Sequence, residues 1–287
     1  MAKRTLVLGS TGDVGKSLIR ILANQGVQVR SATRHPEAYP DRECATPIHF
    51  DLEQPSSFAG ALADIDSAYV IPRAADPNPK ATFELFFDQA KKSGVSHIVF
   101  VTALGVHINP KVGVRQVENL LKNSGLAYTI LRPAWFMQNF CKGITRDNIA
   151  RDSEIRLPAG EGRTSFVSTD DVASVAAEAL TDSCHAGKEY AITGGECLSY
   201  AQVAAIMTNQ LGRTISYRPI TNDEFRQTLL DIGCSEDRAT FRSSLYYPVQ
   251  QGWTEAVSPA VSIILKRPPI GFRQFVESNA YVWNPTY

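Results

Sequence analysis

The stretch RTLVLGSTGDVG, residues 4–15, joins a short apolar run to three glycines spaced three residues apart. Glycines in this spacing, after a predicted strand and before a predicted helix, are typical of a phosphate-binding turn. The first glycine permits a tight turn, the second lets the backbone approach a pyrophosphate, and the third lets the helix pack closely. An ordinary turn after a strand is the alternative. The pattern predicts that a dinucleotide contacts Gly9, Thr11, Gly12, Val14 and Gly15.

Outward from this turn, short apolar strands alternate with amphipathic helices, which predicts an α/β fold with a doubly wound, Rossmann-type parallel sheet. The predicted strands are Thr5–Gly9, Val27–Ala32, Pro47–Phe50, Ser67–Ile71, Ser96–Thr102 and Leu126–Leu131. The predicted helices between them are Gly15–Gln25, Ser56–Leu62, Lys80–Ser93 and Val112–Asn123.

The second half of the chain differs, with shorter segments and more frequent proline and glycine. We therefore predict an NADP-binding domain over residues 1–153 and a smaller C-terminal α+β substrate lobe over 154–287. A helix over 169–181 is expected to pack back on the first domain. Two further helices are predicted, one capped by Ser199 and one by Thr221.

Arg34 closely follows the second predicted strand, at a position where a protein that prefers NAD usually has an acidic residue for the ribose hydroxyls. A guanidinium there can bind a 2′-phosphate bidentately, which favours NADP(H) as the cofactor. A solvated loop arginine is the alternative. Asp51 and Leu52, at the end of the third strand, are expected to face the adenine, although an Asp at that point also suits the start of the next helix.

The amino-acid composition limits the kinds of molecule that the protein is expected to bind. Lys plus Arg and Asp plus Glu both total 29, and no block of one sign suggests a nucleic-acid or membrane surface. The five cysteines are scattered and lack C-x-x-C spacing, which argues against a disulfide framework and a zinc cage. The first apolar run is shorter than a signal-peptide core of roughly 7–15 residues. We expect a cytoplasmic protein with reduced thiols, no metal site, and a small molecule as its partner.

Longer stretches support a family resemblance. The turn GSTGDVG, the step TRHPE at 33–37, the run SGLAYTILRPAWFMQNF at 124–140 and FVSTDDVA at 166–173 resemble the NmrA-like group of atypical short-chain dehydrogenases. The closing segment PPIGFRQFVESN at 268–279 also resembles reductases of the festuclavine synthase type. The resemblance implies an NADP-binding Rossmann domain, a substrate lobe, and reduction of a carbonyl, quinone, imine or activated alkene.

The chain lacks the proton-donating residues that are typical of short-chain dehydrogenases. Those enzymes usually carry a Tyr-x-x-x-Lys pair after the fifth strand, and no such pair occurs between Val101 and Leu121. Many NmrA-like reductases place a lysine or histidine four residues before the glutamate that matches Glu118, where this chain has Val114. Lys111 and His107 in the same loop are the candidates to replace it, with solvated side chains as the alternative. The missing acid favours reduction of C=N or of a conjugated alkene.

The end of the sixth strand supplies candidate site residues. We predict that Thr102, Pro133 and Ala134 lie on the nicotinamide side, because strand carboxyl ends form the ligand crevice of such sheets. A substrate pocket is predicted from Trp135, Phe136, Asn139 and Phe140, with ordinary core or surface positions as the alternative.

The function predicted from the sequence is an NADPH-dependent reductase of a medium-sized apolar or aromatic metabolite, an imine, iminium or conjugated alkene of secondary metabolism. Two alternatives stay open. One is an NADP-binding, redox-sensing regulatory protein without turnover. The other is a redox-neutral isomerase or cyclase on the same scaffold.

Overall fold

The computed structural model describes residues 3–38, 45–73, 76 and 78–284. Its strands are β1 (Arg4–Val7), β2 (Gln28–Thr33), β3 (Ala45–His49), β4 (Ser67–Val70), β5 (His97–Val101), β6 (Ala127–Pro133), β7 (Glu154–Leu157), β8 (Arg163–Thr164), β9 (Lys188–Ile192), β10 (Leu198–Ser199) and β11 (Ser216–Pro219). Its α-helices are α1 (Asp13–Asn24), α2 (Phe58–Leu62), α3 (Pro79–Lys92), α4 (Gly113–Asn123), α5 (Gly143–Asp152), α6 (Thr169–Thr181), α7 (Tyr200–Leu211), α8 (Asn222–Asp231), α9 (Glu236–Ser244), α10 (Tyr247–Gln250), α11 (Ala260–Leu265) and α12 (Phe272–Ser278).

The chain divides into two compact units. Unit 1 comprises Met1–Pro133 with Thr169–Ile192, and unit 2 comprises Ala134–Ser168 with Thr193–Tyr287. The boundary predicted at 153/154 therefore lies inside unit 2, because residues from Met137 onward join the apolar core of that unit. Helix α6 belongs to unit 1, where the Ser17 hydroxyl of α1 donates to the Asp170 carboxylate over 2.6 Å.

Unit 1 is built on one seven-stranded sheet in the order β3-β2-β1-β4-β5-β6-β9, and every pairing in it is parallel. The first six strands have the order 3-2-1-4-5-6 of a doubly wound dinucleotide-binding sheet. Leu6 and Val7 of central β1 are both fully buried, as expected for a parallel strand covered on both faces. The strand order reverses between β1 and β4, so the ligand crevice of the fold lies at the carboxyl ends of these strands.

All six predicted strands and the four helices between them are present, with ends that differ from the prediction by at most two residues. The seventh strand, β9, was not predicted. It lies at the sheet edge and opens with Lys188 and Glu189, charges that are common on edge strands and hide their apolar pattern.

Unit 2 has two small sheets, β10 antiparallel to β8 and β11 parallel to β7, packed with its helices around an aromatic core. The predicted caps are confirmed: Ser199 and Thr221 each form a capping box, with Gln202 and Glu224 respectively. Among the described residues, no helix has the length and apolar character needed to cross a membrane.

Candidate functional site

The glycine turn follows β1 and leads directly into α1. Gly9 has φ +65°, a backbone conformation that favours glycine, and its carbonyl accepts the Gly12 N–H over 3.0 Å. The Ser10 hydroxyl donates to the Ala32 carbonyl of β2 over 2.8 Å, which fixes the turn to the neighbouring strand. Thr11 and Gly12 are exposed, whereas the Val14 side chain is buried, so Val14 can offer a ligand only its backbone.

The three glycines have different reasons to lack a side chain. A Cβ at Gly15 would lie 2.2 Å from the Gly9 carbonyl oxygen, and one at Gly9 would lie 2.9 Å from Ile71 Cγ2. At Gly12 the nearest atom, the Gly9 oxygen, would be 3.4 Å away, which is an ordinary contact, and its φ of −81° suits any residue. The fold therefore requires glycine at positions 9 and 15 but not at Gly12. An exposed glycine at a helix N-terminus, where the fold itself has room for a side chain, fits a pyrophosphate that approaches the backbone.

Arg34 directly follows β2 and its side chain is exposed. Its carbonyl oxygen is 3.2 Å from Nδ1 of His49 on the paired strand β3, which holds the backbone at this point. Asp51 follows β3, and its carboxylate accepts the Glu53 N–H over 3.0 Å in a turn that precedes the next helix. Leu52 is half-buried beside it. The structure thus brings Arg34 and Asp51 to the carboxyl ends of neighbouring strands.

A buried ionic network lies beside Thr102, at the carboxyl end of β5. Glu118 of α4 is fully buried and accepts two hydrogen bonds from the Arg132 guanidinium, at 2.9 Å from Nε and 2.7 Å from Nη2. The Thr102 hydroxyl donates to the same carboxylate over 2.8 Å. Arg115 donates over 2.5 Å, and Arg132 also contacts Glu189 of β9 over 2.6 Å. The sequence identified Glu118 only as a reference position, because two of its partners, Thr102 and Arg132, are far from it along the chain.

This network shifts the pKa values of Glu118 and of the nearby His107. Burial acts to raise the pKa of the Glu118 carboxyl, but hydrogen bonds, foremost from Arg132, outweigh burial and hold the pKa below its ordinary value. Burial and the positive charge of Arg132 lower the pKa of His107, so this imidazole is mainly neutral at neutral pH. Lys111 lies at an exposed position before α4, and its N–H donates to Asn109.

In unit 2, the four predicted pocket residues Trp135, Phe136, Asn139 and Phe140 line one cavity. The volume of the cavity is about 10 Å³, which leaves room for one small group. The side chains of Trp135 and Phe136 are only half-buried beside it. Its other lining residues come from distant segments: Thr145, Leu157, Phe166, Tyr200 and Tyr246. Pro133 ends β6 in unit 1, and buried Ala134 begins unit 2.

Tyr200 is the most informative residue that the sequence did not identify as part of the pocket. Its side chain is buried to 1% exposure, and its hydroxyl has no hydrogen-bond partner among the described residues. The ring packs against Phe166 at 5.4 Å and against Phe140 at 6.1 Å between centroids. A buried hydroxyl without a partner costs free energy, so one that lines a cavity is a donor available to a ligand.

Comparison with known proteins gives the family. A sequence family described as NAD(P)H-binding matches residues 9–183. The chain belongs to this family. Festuclavine synthase II of Penicillium roqueforti is 32% identical over 97% of this chain and 99% of its own length. An NAD(P)H azoreductase of Xenophilus azovorans is 29% identical over 96% of this chain and 97% of its own length.

Solved structures share the fold. The triphenylmethane reductase of Citrobacter sp. complexed with NADP(H) has a TM-score of 0.82 at 20% identity, covering 96% of this chain and 99% of its own. NmrA, a negative transcriptional regulator solved with NADP, has a TM-score of 0.77 at 16% identity, covering 96% and 94%. The predicted Rossmann-type fold and the NmrA-like resemblance are thereby confirmed, and the family match confirms NAD(P)H as the class of cofactor. The family is one of NAD(P)H-dependent reductases, and the oxidoreductase class is confirmed at that level.

Proposed function

We propose that the chain is an NADPH-dependent reductase of a flat, largely apolar or aromatic metabolite whose reducible group is an iminium or a conjugated alkene. In unit 1, the glycine turn holds the pyrophosphate and Arg34 holds the 2′-phosphate. When bound, NADPH supplies a hydride. The remaining unit 1 residues of this cofactor site are Thr11, Val14, Asp51, Leu52, Thr102 and Pro133.

The choice of reaction depends on one observation, the hydrogen bonding and protonation of the polar groups at the carboxyl end of β5. The Thr102 proton is directed to Glu118, the Glu118 carboxylate is ionised by its arginine partners, and His107 has a lowered pKa. Each of these groups is a poor proton donor at neutral pH. A ketone needs a proton on its oxygen as hydride arrives, whereas an iminium accepts hydride to give a neutral amine and needs none. The site therefore suits the iminium better.

The substrate class is supported by the aromatic cavity of unit 2. Six of its nine lining side chains are aromatic, and the remaining three are Asn139, Thr145 and Leu157. None of the nine is a carboxylate or a cation, so the cavity, which has room for one small group, and the half-buried rings of Trp135 and Phe136 beside it favour contact with an apolar substrate. Aromatic faces also attract an organic cation. The named relatives, a festuclavine synthase and an azoreductase, are consistent with organic substrates of medium size.

The test is NADPH oxidation by the purified chain, followed by absorbance, with iminium ions, enones, quinones and ketones as substrates. The expected result is consumption with iminium ions or enones in preference to simple ketones. Consumption with none of them, while NADPH binds normally, would favour the regulatory or redox-neutral alternative. Preference for ketones would refute the argument from the missing donor.

Tyr200→Phe tests the cavity separately from the cofactor site. Since the hydroxyl lacks a partner, its removal should leave the free energy of unfolding equal or slightly higher. If the hydroxyl binds substrate, KM should rise about tenfold with NADPH affinity unchanged. Loss of stability together with an unchanged KM would mean that the hydroxyl has a structural role. Tyr217→Phe is the matched control, because its hydroxyl donates to the Gly160 carbonyl over 3.0 Å and lies outside the cavity lining.

A further inference from the structure

Three side chains capable of binding a metal lie together in unit 1, in the connection between α6 and β9. One oxygen of Asp182, the sulfur of Cys184 and one ring nitrogen of His185 are all within 4.8 Å of one another. The connection leads into the start of β9, so the cluster lies at the amino ends of the parallel strands. The glycine turn lies at the carboxyl ends, and the two sites are therefore separate.

The donor set suits one class of metal. Thiolate, imidazole and carboxylate together are typical ligands of Zn²⁺ and similar borderline divalent ions. Tetrahedral zinc, with bonds of about 2.0–2.3 Å, places its ligand atoms roughly 3.5 Å apart. The three atoms lie within 4.8 Å of one another, so small side-chain movements would bring them to that geometry.

The cluster is held in place by local hydrogen bonds. The Asp182 carboxylate accepts the Cys184 N–H over 2.8 Å, and the Cys184 thiol also hydrogen-bonds to it. The His185 carbonyl accepts the Thr129 hydroxyl over 2.8 Å, and Nδ1 of its ring is 2.9 Å from the Tyr190 hydroxyl. His185 is buried, whereas Asp182 and Cys184 are exposed, so a metal ion can reach the ligands from solvent.

We propose that Asp182, Cys184 and His185 bind one divalent transition-metal ion of the zinc class. The carboxylate, the thiolate and the neutral imidazole each form one bond to the metal, and water completes the tetrahedron. Binding releases the thiol proton to solvent. The scattered cysteines gave no sign of such a site, because it uses one cysteine only.

Charged side chains near the cluster affect its affinity for a metal ion. Lys3, whose Nζ donates to the Thr181 carbonyl over 3.0 Å, acts on Asp182, and Lys188 acts on Cys184. Both cations oppose a metal ion, while Glu178 favours it. The two negative ligands neutralise the ion's charge of two, but the surrounding lysines reduce the binding energy. We therefore expect a site weaker than a zinc cage of four cysteines.

The experiment titrates Co²⁺ into the full-length chain under reducing conditions, with absorbance as the readout, and then adds Zn²⁺ in competition. One equivalent of Co²⁺ should give a thiolate-to-cobalt charge-transfer band, and Zn²⁺ should remove it. Cys184→Ser should abolish the band, and Asp182→Asn, which keeps an acceptor for the Cys184 N–H, should weaken binding at least tenfold. Cys197→Ser is the matched control and should retain the band. Thermal unfolding checks that each variant is folded.

The proposal would be overturned by no charge-transfer band at all, by a band that persists in Cys184→Ser, or by one that Cys197→Ser removes. An unchanged Co²⁺ affinity in Asp182→Asn would remove the carboxylate from the ligand set and with it the proposed three-ligand site.

Discussion

The glycine turn gives the sharpest prediction, because the structure separates a glycine needed for the fold from one needed for the ligand. A Cβ at Gly15 would lie 2.2 Å from the Gly9 oxygen and 2.9 Å from Ser10 Cα, and backbone atoms cannot move aside cheaply. Gly15→Ala should therefore cost about 1–3 kcal/mol or more of unfolding free energy. At Gly12 the added methyl meets only an ordinary contact of 3.4 Å at a compatible φ. Gly12→Ala should therefore change the free energy of unfolding by less than about 1 kcal/mol, because the restriction of the unfolded state is opposed by the poorer N-capping of α1 by alanine.

The same Gly12→Ala change should weaken NADPH binding. A methyl group where the pyrophosphate approaches the backbone breaks at least one charge-assisted hydrogen bond of about 1.5–3 kcal/mol, a tenfold to hundredfold loss of affinity. The assay pairs urea denaturation with calorimetric titration of NADPH. Gly60→Ala is the control, since nothing lies within 4 Å of a Cβ there, and it should leave NADPH affinity unchanged. A Gly12→Ala protein that binds NADPH like the wild type would refute the assignment of the phosphate site.

Three further predictions follow from the charged and aromatic residues. Arg34→Ala should lower NADP(H) affinity about tenfold to hundredfold and leave NAD(H) affinity unchanged, as measured by calorimetry; equal wild-type affinities for the two cofactors would contradict it. Glu118→Gln should cost about 3–5 kcal/mol at pH 7, because two arginines lose their buried partner. The folded pKa of Glu118 is below the unfolded value of about 4.3, so this difference should shrink as pH falls below 4.3 in urea denaturation. In steady-state assays, His107→Ala and Lys111→Ala should retain most activity while Trp135→Ala loses it; a hundredfold loss of kcat in either of the first two would identify a proton donor.

The parts of the molecule that could be predicted from the sequence are those encoded locally. The turn from Gly9 to Gly15 and the caps Ser199 and Thr221 each depend on residues within a few positions of one another, and the structure contains them. Strand and helix periodicity is equally local, which is why the first six strands were found. The seventh strand was missed because its position at the sheet edge tolerates Lys188 and Glu189, and periodicity alone does not signal such a strand.

The parts that could not be predicted are assembled from distant segments. Trp135 and Phe136 were identified from their place after β6, but Tyr200 and Tyr246, which line the same cavity, stand in helical and loop segments whose own patterns indicate only burial. The network around Glu118 is similar: Arg132, which donates to Glu118, also contacts Glu189, and these two residues are on strands whose pairing depends on the sheet order. Only the three-dimensional arrangement shows that the negative charge of the Glu118 carboxylate is balanced by arginine side chains.

The pairing of the ionised Glu118 carboxylate with arginines connects the fold to the proposed chemistry. A buried carboxylate next to Thr102, if it had no cationic partner, would take up a proton near neutral pH and could serve as an acid. The two arginines prevent this, because each hydrogen bond to Glu118 favours its ionised form. Burial, and after it the positive charge of Arg132, also lowers the pKa of His107. A network that holds the sheet edge together thus also removes proton donors from the end of β5. Restoring one should then change the reaction: Val114→Lys, which places an amine at the position where the NmrA-like resemblance implies a lysine or histidine, should raise turnover of ketones relative to iminium ions. An unchanged ratio of the two rates in this variant would show that the missing donor does not determine substrate choice.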